Sequence, residues 1–144
     1  SKSRPAEIGS VQSWATLDAK HGDCNQSLQW YEKITLLDSK NPESFYIFGL
    51  VCYEKVPKKP PADDNEKLAI IEKGKQALQH SIDMKPDYFE SMAYLNLLWR
   101  QQALLDAKAD PVKARADIAQ ADTIRNRAVE IIHDRKDATA AKKS

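Results

Sequence analysis

The stretch MKPDYFESMAYLNLLWRQQALL, residues 84–105, constrains this chain more than any other. It opens on Pro86, with Asp87 and Glu90 spaced as a capping box, so it reads as a helix from about 87 to 105. A surface helix of a globular protein carries one apolar stripe. Here Tyr88, Met92, Leu95 and Trp99 form one row, while Leu97, Leu98, Leu104 and Leu105 occupy other sides. A helix that is apolar on two faces must be gripped by neighbours on two sides. Only four glycines and long runs of Ala, Leu, Lys, Glu, Gln and Arg make the whole chain all-helical in expectation.

Start and stop signals divide the rest. Residues 1–9, with Pro5 and Gly9, read as a lead-in, and a helix is expected over about 10–21, ending at Gly22. Asp23 then caps a helix over about 24–39, on which Trp30, Ile34 and Leu37 step by four and three. Asn41 and Pro42 supply a cap and a first-turn proline for a helix over about 43–55, ESFYIFGLVCYEK. Taken alone, its aromatic and β-branched residues would also suit a strand. VPKKPPADDN breaks the chain. Asp63, Asp64 and Asn65 then start a helix over about 66–84, with a stripe of Leu68, Ile71, Leu78 and Ile82. After DAKADP, Asp110 and Pro111 open a last helix to about 136, with Ala121, Ile124, Ala128 and Ile131 at helical steps. Residues 137–144, DATAAKKS, are expected as a disordered tail.

Independent landmarks share a period. Trp14 and Phe48 lie 34 residues apart, each followed three positions later by an aliphatic, Leu17 and Val51. Met92 with Leu95 repeats the pair 44 residues after Phe48, and Pro42 and Pro86 are also 44 apart. The extra ten residues fall naturally in VPKKPPADDN. On these residues the chain resembles the tetratricopeptide repeat (TPR) family, whose unit is a helix-turn-helix with a Trp-x-x-Leu-Gly-x-x-Tyr first helix. The family Trp falls on Trp14, Phe48 and Met92, its Leu on Leu17, Val51 and Leu95, and its late alanine on Leu37, Ser81 and Ala128. Small residues meet where helices approach in the second unit, Cys52 opposite Gly74. Asn96 opposite Ala121 fits less well, and Asp18 opposite Trp30 fits poorly. AYLNLLWR with FYIFGLVCYEK is similar to a divergent bacterial group with long insertions between the two helices of a unit. The resemblance implies a right-handed α-α superhelix of about three hairpins, a single domain over 1–136 with units near 10–42, 43–86 and 87–136. Two repeats plus a helical extension fit the same residues, and a generic helical bundle would also bury a two-faced helix.

Composition excludes several classes. At 144 residues the chain has one domain's length and can bury about 70% of its extended surface. Its 42% hydrophobic and 30% charged residues are ordinary for a globular protein. A net charge of +1 argues against nucleic-acid binding. No apolar run reaches the roughly 20 residues of a membrane span. Neither a signal-peptide pattern nor an initiator methionine is present, so a cytoplasmic chain and one exported after removal of a leader both remain open. Cys24 and Cys52 read as free thiols, since antiparallel packing would leave them some two turns apart, beyond disulfide reach. His21, His80 and His133 fall in three different units without metal-ligand spacing. No phosphate loop or nucleophile elbow occurs, and DAKADPVKARAD lacks the glycine and closing glutamate of a calcium loop. No cofactor, metal or catalysis is expected.

The expected activity is recognition. By resemblance the first helix of each unit lines a concave groove, which places Gln12, then Tyr46, Gly49 and Tyr53, then Leu97, Arg100 and Gln101 against a protein or peptide partner. Tyr and Arg are favoured interface anchors. Self-association is a further partner class. The positions where some relatives grip a terminal carboxylate are Ala15, Ala19, Leu50, Glu90 and Tyr94, which supply no cation. Lys55, Lys58 and Lys59 form a second candidate edge at the insertion, where PKKP also fits a PxxP pattern. A helical domain that binds a small ligand, or serves as a spacer in a larger assembly, is the alternative.

Overall fold

The computed structural model describes residues 23–56 and 63–143. Five α-helices follow one another: α1 (Asp23–Leu37), α2 (Pro42–Lys55), α3 (Asp64–Met84), α4 (Phe89–Asp106) and α5 (Pro111–Lys143). No strand occurs among the described residues, so the segment that could have been read as a strand is helix α2. The expected helix over 10–21, and with it Gln12, Trp14, Leu17 and His21, lies outside the described residues.

Local chemistry sets most of the boundaries. Asn41 is extended and its side chain accepts a hydrogen bond from the Glu43 amide, with Pro42 in the first turn of α2. Asp63 does the same for the Asn65 amide of α3, and Asp110 accepts from the Lys113 amide of α5. The capping box expected from Asp87 and Glu90 does not form. Helix α4 begins later, with Tyr88 in the cap position and no side-chain cap bond. Asp87 is thereby freed to pair with Arg135 of α5 at 2.7 Å. The far end differs too. Helix α5 continues through 137–143, where a disordered tail was expected, because the strong helix formers Ala and Lys dominate those residues.

Each helix packs on the next, and α2 also packs on α4. Neither α1 nor α2 packs extensively on α5. The two-faced helix α4 is therefore held from both sides. Leu95 and Leu98 join Phe48, Cys52, Ile71 and Leu78 in a core built with α2 and α3. Met92 joins Ala128 and Ile131 of α5 in a second cluster. Fully burying each of these α4 side chains contributes about 1.5–3 kcal/mol. The cover is incomplete, since Leu104 remains 73% exposed. Helix α1 turns a different face inward from the one its apolar spacing suggests. Trp30 and Leu37 are 60% and 63% exposed, whereas Leu28, Glu32 and Thr35 are buried. The polar pair is satisfied locally and at long range: Thr35 Oγ1 donates to the Glu32 carbonyl, and the Glu32 carboxylate meets Lys73 of α3 at 2.9 Å.

Close approach depends on two glycines. A Cβ on Gly74 would lie 2.7 Å from Leu98 Cδ1 and 2.9 Å from Cys52 Cβ, so α2, α3 and α4 meet at this point. The expected partnership of Cys52 with Gly74 is thus present, and Cys52 is a buried free thiol. Gly49 sits against Leu78, where an added Cβ would fall 2.3 Å from Leu78 Cγ. It belongs to the α2–α3 contact and not to a groove lining. Ser81 and Ser91, both fully buried, have their hydroxyl oxygens 2.6 Å apart and tie α3 to α4. Lys75 is buried with its ammonium 3.7 Å from the Trp99 ring centre and 3.1 Å from Glu72, which offsets its desolvation.

The α4–α5 turn is clasped by Lys113, which reaches Asp106 at 2.5 Å and Asp117 at 3.3 Å. Burial pushes the Asp117 carboxyl up, and its hydrogen bond with Asp106 adds to this. The same bond, with that from Lys113, holds Asp106 down. Asp117 is therefore the member of the pair that keeps a proton longer.

Two outcomes are expected. Gly74→Val should lower stability by about 1–3 kcal/mol through overpacking, read as a lower urea midpoint. The raised Asp117 value contributes stability that is complete below its unfolded value near 3.9 and is lost as the pH rises through the folded value. Asp117→Asn removes that dependence, so urea midpoints measured between about pH 4 and 7 should show the variant gaining on the wild type as pH increases.

Candidate functional site

Tyrosines occupy the seam between α2 and α4. Tyr46 lies 5.2 Å from Tyr88 and 6.1 Å from Tyr94, ring centre to ring centre, and Tyr53 meets Tyr94 edge-on at 5.6 Å. These separations fall in the favourable range for tilted and edge-to-face aromatic pairs. Tyr46 and Tyr53 lie seven apart on α2, nearly two turns, so both project along one line of that helix. Tyr88 is buried, while Tyr46, Tyr53 and Tyr94 are partly covered. The two α2 tyrosines are thus held by neighbouring rings at the margin of the core.

Burial and nearby carboxylates shape the titration of the seam. Burial raises the Tyr46 hydroxyl, with Tyr94, Glu90 and Glu43 adding to the effect. Tyr88 is pushed up to about 12 by burial, with Glu43 and Glu90 next in importance. Two carboxylates on different helices therefore act on the same pair of rings. Lys85 answers them, with its ammonium 4.5 Å from the Tyr88 ring centre.

The other expected residues divide into three groups. Leu97 lies partly exposed on α4, one turn beyond Ala93 and Tyr94. Arg100 turns toward α5: its Nε donates to Asn96 at 3.0 Å and its Nη2 to Asp122 at 2.7 Å. That pair holds the Asp122 carboxyl below the usual range, the hydrogen bond from Arg100 being the main cause. Gln101 lines a hollow of about 380 Å³ with Val56, Ile71, Leu104, Leu105, Lys67 and Lys108. Its Oε1 is buried and has no hydrogen-bond partner among the described residues. Lys55 ends α2, and Lys58 and Lys59 lie outside the described residues. The structure thus brings Tyr46 and Tyr53 together but places Arg100 and Gln101 in separate surroundings.

Sequence reasoning assigned Tyr88 to the core row and placed Tyr94 at a carboxylate-clamp position without grouping it with Tyr46 and Tyr53. Tyr94 sits four after Glu90 and three before Leu97, so helical spacing alone could have grouped the three. Elsewhere, the His80 ring meets that of Phe45 tilted by 49° at 4.3 Å, and His133 lies 3.2 Å from Asp137. Among the described residues no three His, Cys, Asp or Glu side chains converge as a metal site. No helix there is long and apolar enough to cross a membrane. No family model, no curated protein and no solved structure matches this chain.

Removing both α2 rings, Tyr46→Ala with Tyr53→Ala, should reduce stability by on the order of 2 kcal/mol through the lost ring pairs. Far-UV circular dichroism should stay helical while the urea midpoint falls.

Proposed function

We propose that this chain is a TPR-like protein-interaction module, a right-handed α-α solenoid that binds a peptide or protein segment in a groove lined by α2 and α4, without catalysis. One observation carries the reading. Helix α4 is gripped by α5 on one side and by α2 and α3 on the other, and α2 meets α4 directly. Stacked hairpins produce that pattern, with each unit touching its neighbours only. A bundle wrapped round a common centre would instead bring α5 against α1 or α2. The matched Cys52–Gly74 approach and the small Ser81 at the α3–α4 contact support the same arrangement. On the open sides of α2 and α4, aliphatic residues and partly covered tyrosines supply the contact chemistry of an interface centre.

A second reading draws on the hollow beside Gln101, where Val56, Ile71, Leu104 and Leu105 stand with Lys67 and Lys108 and suit a small, partly apolar ligand. One experiment separates the two. The immobilised chain should capture a protein partner, and Leu97→Asp should weaken that capture by on the order of 2 kcal/mol or more while leaving circular dichroism unchanged. Recovery of a metabolite and no protein, with binding lost on Gln101→Leu, would replace the groove reading by the small-ligand one.

A further inference from the structure

We infer that the shared face of α2 and α4 takes a basic, extended peptide segment carrying two Lys or Arg residues about five positions apart on either side of an aliphatic centre. This names the partner chemistry of the groove proposed above and rests on that reading.

On α2, Glu43, Ile47, Leu50 and Glu54 step by four, three and four, so they form one stripe. On α4, Glu90, Ala93 and Leu97 form another. The three carboxylates are exposed, whereas Ile47, Leu50 and Leu97 between them are partly covered. Glu43 and Glu90 stand at the same end, since Glu43 lies one turn before Tyr46, Glu90 lies two residues after Tyr88, and those two rings are 5.2 Å apart. Glu54 marks the other end. The face is therefore acidic at both ends and apolar in the middle.

Glu43, Glu54 and Glu90 make no ion pair with any described residue, and Arg100, the nearest cation along the α4 stripe, is committed to Asp122. Lys55 is one position beyond Glu54 and so lies about 100° round the helix, off the stripe. Lys85, placed on the Tyr88 ring, shows that an ammonium is accommodated beside this seam.

Geometry sets the spacing of the partner's charges. Glu43 and Glu54 are eleven residues apart, about 16 Å along a helix at ~1.5 Å per residue. An extended segment advances about 3.3 Å per residue, so about five of its residues span the two acidic ends. Its central aliphatic side chains then meet Leu50 and Leu97, and the seam tyrosines flank them.

The test is selection of a displayed random dodecapeptide library on the full chain, followed by fluorescence anisotropy on the strongest peptide. Enriched sequences should carry two basic residues about five apart. Glu43→Gln with Glu90→Gln, and separately Glu54→Gln, should each weaken that peptide at least tenfold while circular dichroism stays unchanged, and Leu97→Asp should abolish binding. Enriched acidic or uncharged peptides that still depend on Leu97 would overturn this inference and leave the groove reading standing. No enrichment, or enrichment indifferent to Leu97→Asp, would overturn both.

Discussion

The constraint on which the rest depends is the double burial of α4. With Leu95 and Leu98 committed to one cluster and Met92 to another, this helix cannot pack through a single face. It must have protein on two sides, and its neighbours must leave room for it. The glycines answer that demand. Without a side chain at 74, the Leu98 methyl and the Cys52 side chain occupy the same small space, and three helices converge. Buried polar groups then fix which partner goes where. The paired hydroxyls of Ser81 and Ser91 and the Glu32–Lys73 bridge are each satisfied only in one alignment.

That same burial determines which faces are left pointing outward. Once α4 has used two of its sides for packing and a third for its tyrosine contact with α2, one narrow face remains. Helix α2 presents a corresponding face beside it. Together they carry aliphatic residues, with Glu43 and Glu90 at one end and Glu54 at the other, a composition that neither core requires. A core consumes the bulky side chains that point inward. It gives no reason for Glu43 and Glu90 to converge on one pair of rings.

The sequence was most legible where structure is decided within a few residues. Asn41 with Pro42, Asp63 and Asp110 each supply a cap from one side chain to an amide two or three residues on, and each start was readable. Asp87 was not, because its preferred partner, Arg135, lies 48 positions away. Helix α1 misled for the same reason: apolar spacing favoured Trp30 and Leu37, while the inward face is carried by Glu32 through a bridge to a residue 41 positions distant. The candidate site shows the same division. Tyr46 and Tyr53 were picked out by the family resemblance, but their rings acquire meaning only from Tyr88 and Tyr94 on another helix. Arg100 looked like an anchor until Asp122, itself 22 positions on, was seen to hold it.

Gly49 and Gly74 have a consequence for how such a chain can change over generations. A separation maintained by a missing side chain can be altered in one direction only, because nothing smaller than hydrogen is available. Any heritable replacement at either site pushes neighbours apart and must be answered by trimming Leu78, Leu98 or Cys52 at the same time. Drift at these two points therefore needs paired events, whereas outward positions such as Leu104 can vary singly. Descendants of this chain should keep the gaps between their helices nearly fixed while their outward side chains vary freely.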